Sequence, residues 1–297
     1  MTRTTWILAG ILVLLVATTV WVLQRPGEQS SSPDAVGALV AFDSAAVDRI
    51  DILMPTAPVS IAREDDRWML TAPLRAPADA GAVDATIGMT RALTSKTLVS
   101  SNPAKQHVFQ LDSTAVLLTL SSRGTAVASI RIGKPDPTYT GTYVRKDGSD
   151  EVYLVDGILS AIVARPVRDW RNKAIVRLRP EDIRTVRFHY GDTTFTLART
   201  DSLWMVDGLP ASEYTVRGFL ASLASLQCDE FIDTARTTVP PLVGMLDVDG
   251  TQIGFHQRPG DTMVTVIAST SSQIYTLYGW RAEQVLKRKA DLVQTTP

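Results

Sequence analysis

The sequence is poor in the residues that most often carry chemistry. It holds one cysteine, Cys228. A lone cysteine closes no internal disulfide and excludes zinc sites built from cysteine pairs. Cys228 follows Leu223-Ala224-Ser225-Leu226-Gln227, the end of an amphipathic helix pattern, and reads as a small packed residue. There are three histidines, His107, His189 and His256. None has a second histidine, a cysteine or a carboxylate at ligand spacing such as H-E-x-x-H. They read as surface or half-buried structural residues. Neither a G-x-S-x-G elbow nor a G-x-x-x-x-G-K-[ST] phosphate loop is present. Charge of one sign is also lacking. The formal net charge is -1, which gives no basis for a nucleic-acid partner, since that needs a basic stripe.

What is there begins with an apolar run. Trp6–Leu23 contains no charge and no proline. As a helix these 18 residues span about 27 Å, close to the hydrocarbon thickness of a bilayer. Trp6 and Trp21 stand near its ends, where interfacial rings are favoured. The run is longer than a signal-peptide h-region, and no small-x-small cleavage site follows it. It is therefore read as a retained transmembrane anchor over 1–23. Arg3 and Arg25 nearly offset each other, and the free amine tips the topology toward a cytoplasmic N-terminus with the remainder on the extracytoplasmic side. Residues 24–37 are rich in serine, proline and glycine and read as a flexible tether.

About 260 residues follow the anchor and tether, at 45% hydrophobic and 21% charged residues overall, enough to bury real cores. They contain an internal repeat. Ala62-Arg63 and Trp68-Met69 recur as Ala198-Arg199 and Trp204-Met205, 136 positions later, and Ile50 matches Val186 at the same offset. Further on, Tyr153 to Gly157 matches Tyr275 to Gly279 at an offset of 122, so the second copy is about 14 residues shorter. The missing part corresponds to the Ser100–Ala126 region. The expected units are 38–176 and 177–297.

Each copy has one plan. Val186, Phe188 and Tyr190 alternate with Arg187 and His189, the period of a half-buried strand. Two more strands follow through Phe195 and Trp204, a meander. Val216, Phe219, Leu220, Leu223 and Leu226 then lie on one helical face, with Pro210 and Ser212 at its start. In the first copy Pro77 and Asp79 precede Val83, Ile87 and Thr90 in the same way. More strands and a short helix, about 157–164 and about 280–289, end each copy. The expected class is α+β: a transmembrane helix, then two tandem repeats, each a mainly antiparallel sheet with one longer and one short helix.

Two acidic clusters invite a cation reading. Glu64-Asp65-Asp66 corresponds in the repeat to Thr200-Asp201-Ser202, a polar turn, so both are read as hairpin loops. Asp247-Val248-Asp249-Gly250 begins like a calcium loop, but Gln252 stands at the sixth position and Arg258 at the twelfth, where glycine and glutamate are needed. Asp169, Arg171 and Lys173 form a mixed-charge patch and are the candidate partner contacts.

Trp68-Met69-Leu70-Thr71-Ala72-Pro73, Pro77-Ala78-Asp79, Ile130-Arg131-Ile132-Gly133, Tyr143-Val144 and Val152-Tyr153-Leu154-Val155 occur in an order that resembles a bacterial family known only as domain of unknown function 4340. Val167 to Lys173 resembles that family's Arg/Asp-rich close of a unit. The family pattern carries Gly-Leu-Asp before the middle strands; Gln110-Leu111-Asp112 lacks the glycine, which leaves the local turn open. Similar proteins stand beside ABC-transporter components, including the gliding-motility type. The resemblance implies an accessory role in an envelope export complex and supplies no catalytic residue.

The expected function is a non-catalytic, membrane-anchored accessory or scaffold subunit of an ABC-transporter-type membrane complex. It needs no cofactor, metal, nucleic acid or small-molecule substrate. The alternatives are an envelope hydrolase whose site is assembled from distant residues, and a ligand or glycan sensor.

Overall fold

The computed structural model describes residues 38–55, 57–93, 97–201, 203–233 and 238–294. The expected anchor Trp6–Leu23 and the tether 24–37 lie outside them. Among the described residues no helix is long and apolar enough to cross a membrane. The chain divides into two compact units between Arg171 and Asn172, five residues before the boundary expected at 176/177. The reason lies in the backbone. Ile175 N–H donates to Leu226 O at 3.1 Å, Cys228 N–H donates to Lys173 O at 2.9 Å, and Ala174 bridges Gln227. Ile175 and Val176 are buried in the second core.

The first unit opens with four strands, β1 (Arg49–Leu53), β2 (Val59–Glu64), β3 (Arg67–Ala72) and β4 (Ala76–Pro77). Helix α1 (Ala80–Ala92) and strand β5 (Thr97–Ser100) follow. After a 3-10 helix, Pro103–Phe109, come β6 (Val116–Ser122), β7 (Thr125–Pro135), β8 (Gly141–Lys146) and β9 (Val152–Asp156). Helix α2 (Ser160–Val163) and a 3-10 turn, Val167–Trp170, complete it. The sheet order is β4-β3-β2-β1-β6-β7-β8-β9-β5, antiparallel throughout. Two meanders therefore meet at β1 and β6. Helix α1 carries the chain from the β4 edge to the opposite β5 edge, so it crosses one face. Asp79 caps it, its carboxylate accepting from Ala82 N–H at 2.7 Å. Ala82, Val83, Thr86, Ile87 and Thr90 are its buried side. Thr86 and Thr90 hydroxyls donate to carbonyls one turn back, so burial leaves them satisfied.

The second unit repeats this. Its strands are β10 (Thr185–Tyr190), β11 (Thr193–Thr200), β12 (Leu203–Val206), β13 (Leu209–Pro210), β14 (Glu230–Ile232), β15 (Leu242–Val248), β16 (Thr251–His256), β17 (Met263–Ala268) and β18 (Ile274–Tyr278). Its order, β13-β12-β11-β10-β15-β16-β17-β18-β14, is that of the first sheet with every strand number raised by nine. Helix α3 (Glu213–Ala224) replaces α1, and Ser212 caps it by accepting from Thr215 N–H at 3.4 Å. Val216, Phe219, Leu220 and Leu223 bury against Phe188, Leu197, Phe255 and Val266. Phe188 stacks on Phe195 at 4.5 Å and tilts against Phe219 at 5.5 Å.

Strand pairing locates the shortening of the second copy. The offset is 136 at Trp68/Trp204 and 133 at Leu98/Phe231. It falls to 128 at Leu118/Leu246, to 123 at Ile130/Ile253 and to 122 at Val144/Val266. Most of the loss therefore lies between β5 and the β6–β7 hairpin, the region read from the sequence. One element differs from expectation. The closing helix of the second unit is two pieces, α4 (Gly279–Val285) and α5 (Lys289–Leu292). Between them Lys287 O accepts the Tyr190 hydroxyl at 2.8 Å, and the Arg288 guanidinium lies 4.2 Å from the Tyr190 ring centre. A continuous helix would commit that carbonyl elsewhere.

Candidate functional site

The sequence patch Asp169, Arg171 and Lys173 falls on both sides of the division: Asp169 and Arg171 end the first unit and Lys173 begins the second. Arg171 is buried at 4% exposure, while Asp169 and Lys173 are half-buried. Around Trp170 the chain makes a clasp on the start of α1. Asp79 N–H donates to Trp170 O at 2.8 Å, Ala78 bridges Arg171, and the Trp170 ring is fully buried with the Arg165 guanidinium 4.8 Å above it. The second unit closes in the same manner. Ser212 N–H donates to Leu292 O at 2.8 Å, Ala211 bridges Val293, and Leu292 is fully buried. Asp291 accepts from Arg288 N–H at 2.7 Å. Asp169 and Arg171 thus flank a buried tryptophan in a structural closure, and burial takes Arg171 off the surface patch.

His189, His256 and the acidic clusters have local structural partners. His189 Nδ1 lies 3.2 Å from Thr194 Oγ1, and His256 Nδ1 donates to Pro240 O at 3.0 Å. Asp65 and Asp66 are the turn between β2 and β3, both at positive φ, and Arg75 grips Glu64. Asp249 accepts from Arg184 N–H and Thr185 N–H at 2.9 and 2.8 Å. Cys228 is buried in the second core. Trp68 and Trp204 each pack, half-buried, on the core of their own unit. Among the described residues no three His, Cys, Asp or Glu side chains are placed to hold a metal ion.

The surface that sequence reasoning missed is a sheet face. Core residues alternate along the strands, so each sheet has one face under its helices and one facing outward. On β11 and β12 the outward residues are Thr196, Ala198, Thr200, Leu203 and Met205, and with Asp207 in the turn that follows they line an open depression of about 570 Å³. Ala198 pairs with Met205 and Thr200 with Leu203; Leu203 is 66% exposed. At the rim, Asp207 binds Lys289 Nζ at 2.7 Å and accepts from Thr196 N–H at 2.9 Å, and these bonds hold its carboxyl below the usual range. The equivalent hairpin of the first unit is charged. Glu64 and Arg67 stand where Thr200 and Leu203 stand, Ala62 and Met69 are unchanged, and Arg75 Nη1 meets Glu64 Oε1 at 3.0 Å. The repeat alignment held this signal, Arg67 against Leu203, without showing which face it marked.

Fold and faces define a class: an α+β chain of two similar units, each an antiparallel sheet covered on one side by its helices. Residues 68–242, more than half of the chain, match the family described as domain of unknown function (DUF4340), and the chain belongs to it. No curated protein and no solved structure matches the chain.

Proposed function

We propose that this chain is a non-catalytic, membrane-anchored scaffold. Trp6–Leu23 sits in the bilayer, the N-terminus is cytoplasmic, and both units stand on the extracytoplasmic side as an accessory subunit of an ABC-transporter-type membrane complex. The anchor rests on the length and apolarity of the 18-residue run. The transporter rests on the family resemblance.

One observation carries the scaffold reading. Two copies of one fold place Arg67 and Leu203 at the same outward position. The first copy folds with a charge there, so the fold does not require the leucine. Leu203 is continuous with Met205 and Ala198 on that face, and a contiguous apolar surface that folding does not need supports a contact-surface reading. His189, His256 and Asp249 support the same reading, because their hydrogen bonds serve turns and strand ends rather than a shared cleft.

Purification of the tagged full chain from membranes in mild detergent tests this. The expected result is stoichiometric recovery of integral membrane subunits together with an ATPase subunit, and loss of that recovery with Leu203→Arg. Recovery of the chain alone, from membranes that hold all the candidate subunits, overturns the reading.

A further inference from the structure

We propose that the first unit carries a docking recess for an extended, proline-rich segment of a partner protein with a carboxylate beside its prolines. The proposal deepens the scaffold reading and rests on it. The recess has a volume of about 330 Å³ and lies between the 3-10 helix Pro103–Phe109 and the β7–β8 turn. Phe109, Pro135, Pro137, Tyr139 and Tyr143 line it, with Lys134 among them. Phe109 and Tyr143 rings meet at 4.8 Å and form one wall.

Three features show a built surface. First, Tyr139 is 73% exposed and sits at φ 56. A bulky side chain in the left-handed region persists only where its surroundings impose it, and such residues gather at binding sites. Second, the imposing group is Asp136. Its buried carboxylate accepts from Thr140 N–H at 2.9 Å, Gly141 N–H at 2.7 Å, and both the N–H and the hydroxyl of Thr138. Asp136 O also receives Tyr139 N–H at 3.0 Å. The turn therefore presents the Tyr139 ring on a fixed base. Third, the helix bearing Phe109 belongs to the stretch in which the first unit is longer than the second. It seats closely: a Cβ at Gly133 would lie 2.2 Å from Phe109 O.

The chemistry selects the occupant. Rings and prolines offer flat apolar walls that fit pyrrolidine rings, and tyrosine hydroxyls donate to the free carbonyls of a polyproline II chain. Strand addition is blocked here, because β7 pairs with β6 and β8, and β8 pairs with β7 and β9. A sugar would need several acceptors for its hydroxyls, but the Asp136 carboxylate is already occupied by the turn. Lys134 supplies positive charge, which favours an acidic residue next to the prolines.

The test uses the full chain in mild detergent and a fluorescein-labelled octaproline ending in aspartate, read by polarisation. The expected result is saturable binding that a peptide with glycine at every proline does not show. Tyr139→Gly relieves the left-handed strain and removes the ring, so it leaves thermal stability equal or higher and weakens binding at least ~10-fold. Lys134→Gln weakens the aspartate peptide about threefold and leaves an uncharged octaproline amide unchanged. Equal binding of the proline and glycine peptides overturns the proposal, as does undiminished binding by Tyr139→Gly, or displacement of the peptide by a neutral oligosaccharide. If membrane subunits still copurify while the octaproline fails to bind, the recess assignment falls and the scaffold reading stands.

Discussion

The two units solve one folding problem with different residues, and the differences separate what the fold requires from what it tolerates. The same β1–β6 seam is fastened by exchanged partners. In the first unit the Asp48 carboxylate accepts from Arg123 N–H at 2.6 Å. In the second, Arg184 occupies the position of Asp48 and its N–H donates to Asp249 at 2.9 Å, in the turn that corresponds to Arg123. Both turns use positive φ followed by glycine, at Arg123-Gly124 and Asp249-Gly250. In both units a carboxylate on one side of the seam accepts a backbone N–H from the other; which side supplies the carboxylate is free. The clasp is likewise constant in its backbone bonds and variable in its plug, Trp170 against Leu292. Outward positions are under no such constraint, and there the units diverge in charge and in apolar surface.

The clasp gives the largest expected effect. Trp170→Ala should destabilise the first unit by about 3–5 kcal/mol and Leu292→Ala the second by about 2–5 kcal/mol. Hydrogen-exchange mass spectrometry should place each loss in the strands of its own unit; equal deprotection of both units by either change would break the comparison. The helix caps come next. Asp79→Ala and Ser212→Ala should each cost about 1 kcal/mol, read as a lower midpoint in urea at unchanged slope. The seam sharpens the picture further. Asp48→Arg alone should cost about 1 kcal/mol, and adding Arg123→Asp, which recreates the arrangement of the second unit, should restore most of it. Gln110→Gly should act in the opposite direction. Gln110 ends the 3-10 helix Pro103–Phe109 at φ 54, a position that suits glycine, so the change should add about 0.5–1 kcal/mol to the first unit.

Acid provides a finer probe. Hydrogen bonds from the Thr138 hydroxyl and from the Gly141, Thr138 and Thr140 N–H groups hold the Asp136 carboxyl down at about 2. The unfolded group titrates near about 4. A depressed folded value means that the stabilisation is fully present above about pH 4 and is lost as pH falls toward 2. Asp136→Asn should therefore be less stable than the parent at pH 6, with the gap narrowing steadily below pH 4. A constant gap would remove the charge from the account. Leu203→Arg should have the smallest effect on stability, within about 0.5 kcal/mol, since Arg67 holds the same place in the first unit.

Much of the fold was legible because the repeat supplied each element twice. Trp68 and Trp204 fixed the register of the third strands, and Asp79 and Ser212 marked both helix starts. The Gln110 position shows why a family pattern carries glycine there: the turn is left-handed and has kept its shape with a glutamine. Other features were hidden for physical reasons. Lys173 to Val176 carries no composition break, and only its pairing with the chain after α3 assigns it to the second unit. Asp169, Arg171 and Lys173 read as one mixed-charge patch because charge is local in sequence, whereas the burial of Arg171 depends on Trp170 docking under α1. The β11–β12 face and the Tyr139 recess were invisible because each joins residues whose outward direction depends on strand pairing or on the hydrogen bonds of a single turn.

The clasps also set how much of the chain must be present before each unit can close. Each unit fastens its first long helix with its own last residues, so neither can finish from an incomplete stretch of chain. The earlier one holds all its parts once Arg171 has cleared the ribosome, before most of the second unit has emerged. The later one stays unlatched until Gln294 N–H can reach Pro210 O. Because their strand orders are identical, a strand of one nascent copy could be mistaken for its twin in the other. A first unit closed by its clasp before the second emerges would have no free strand to exchange.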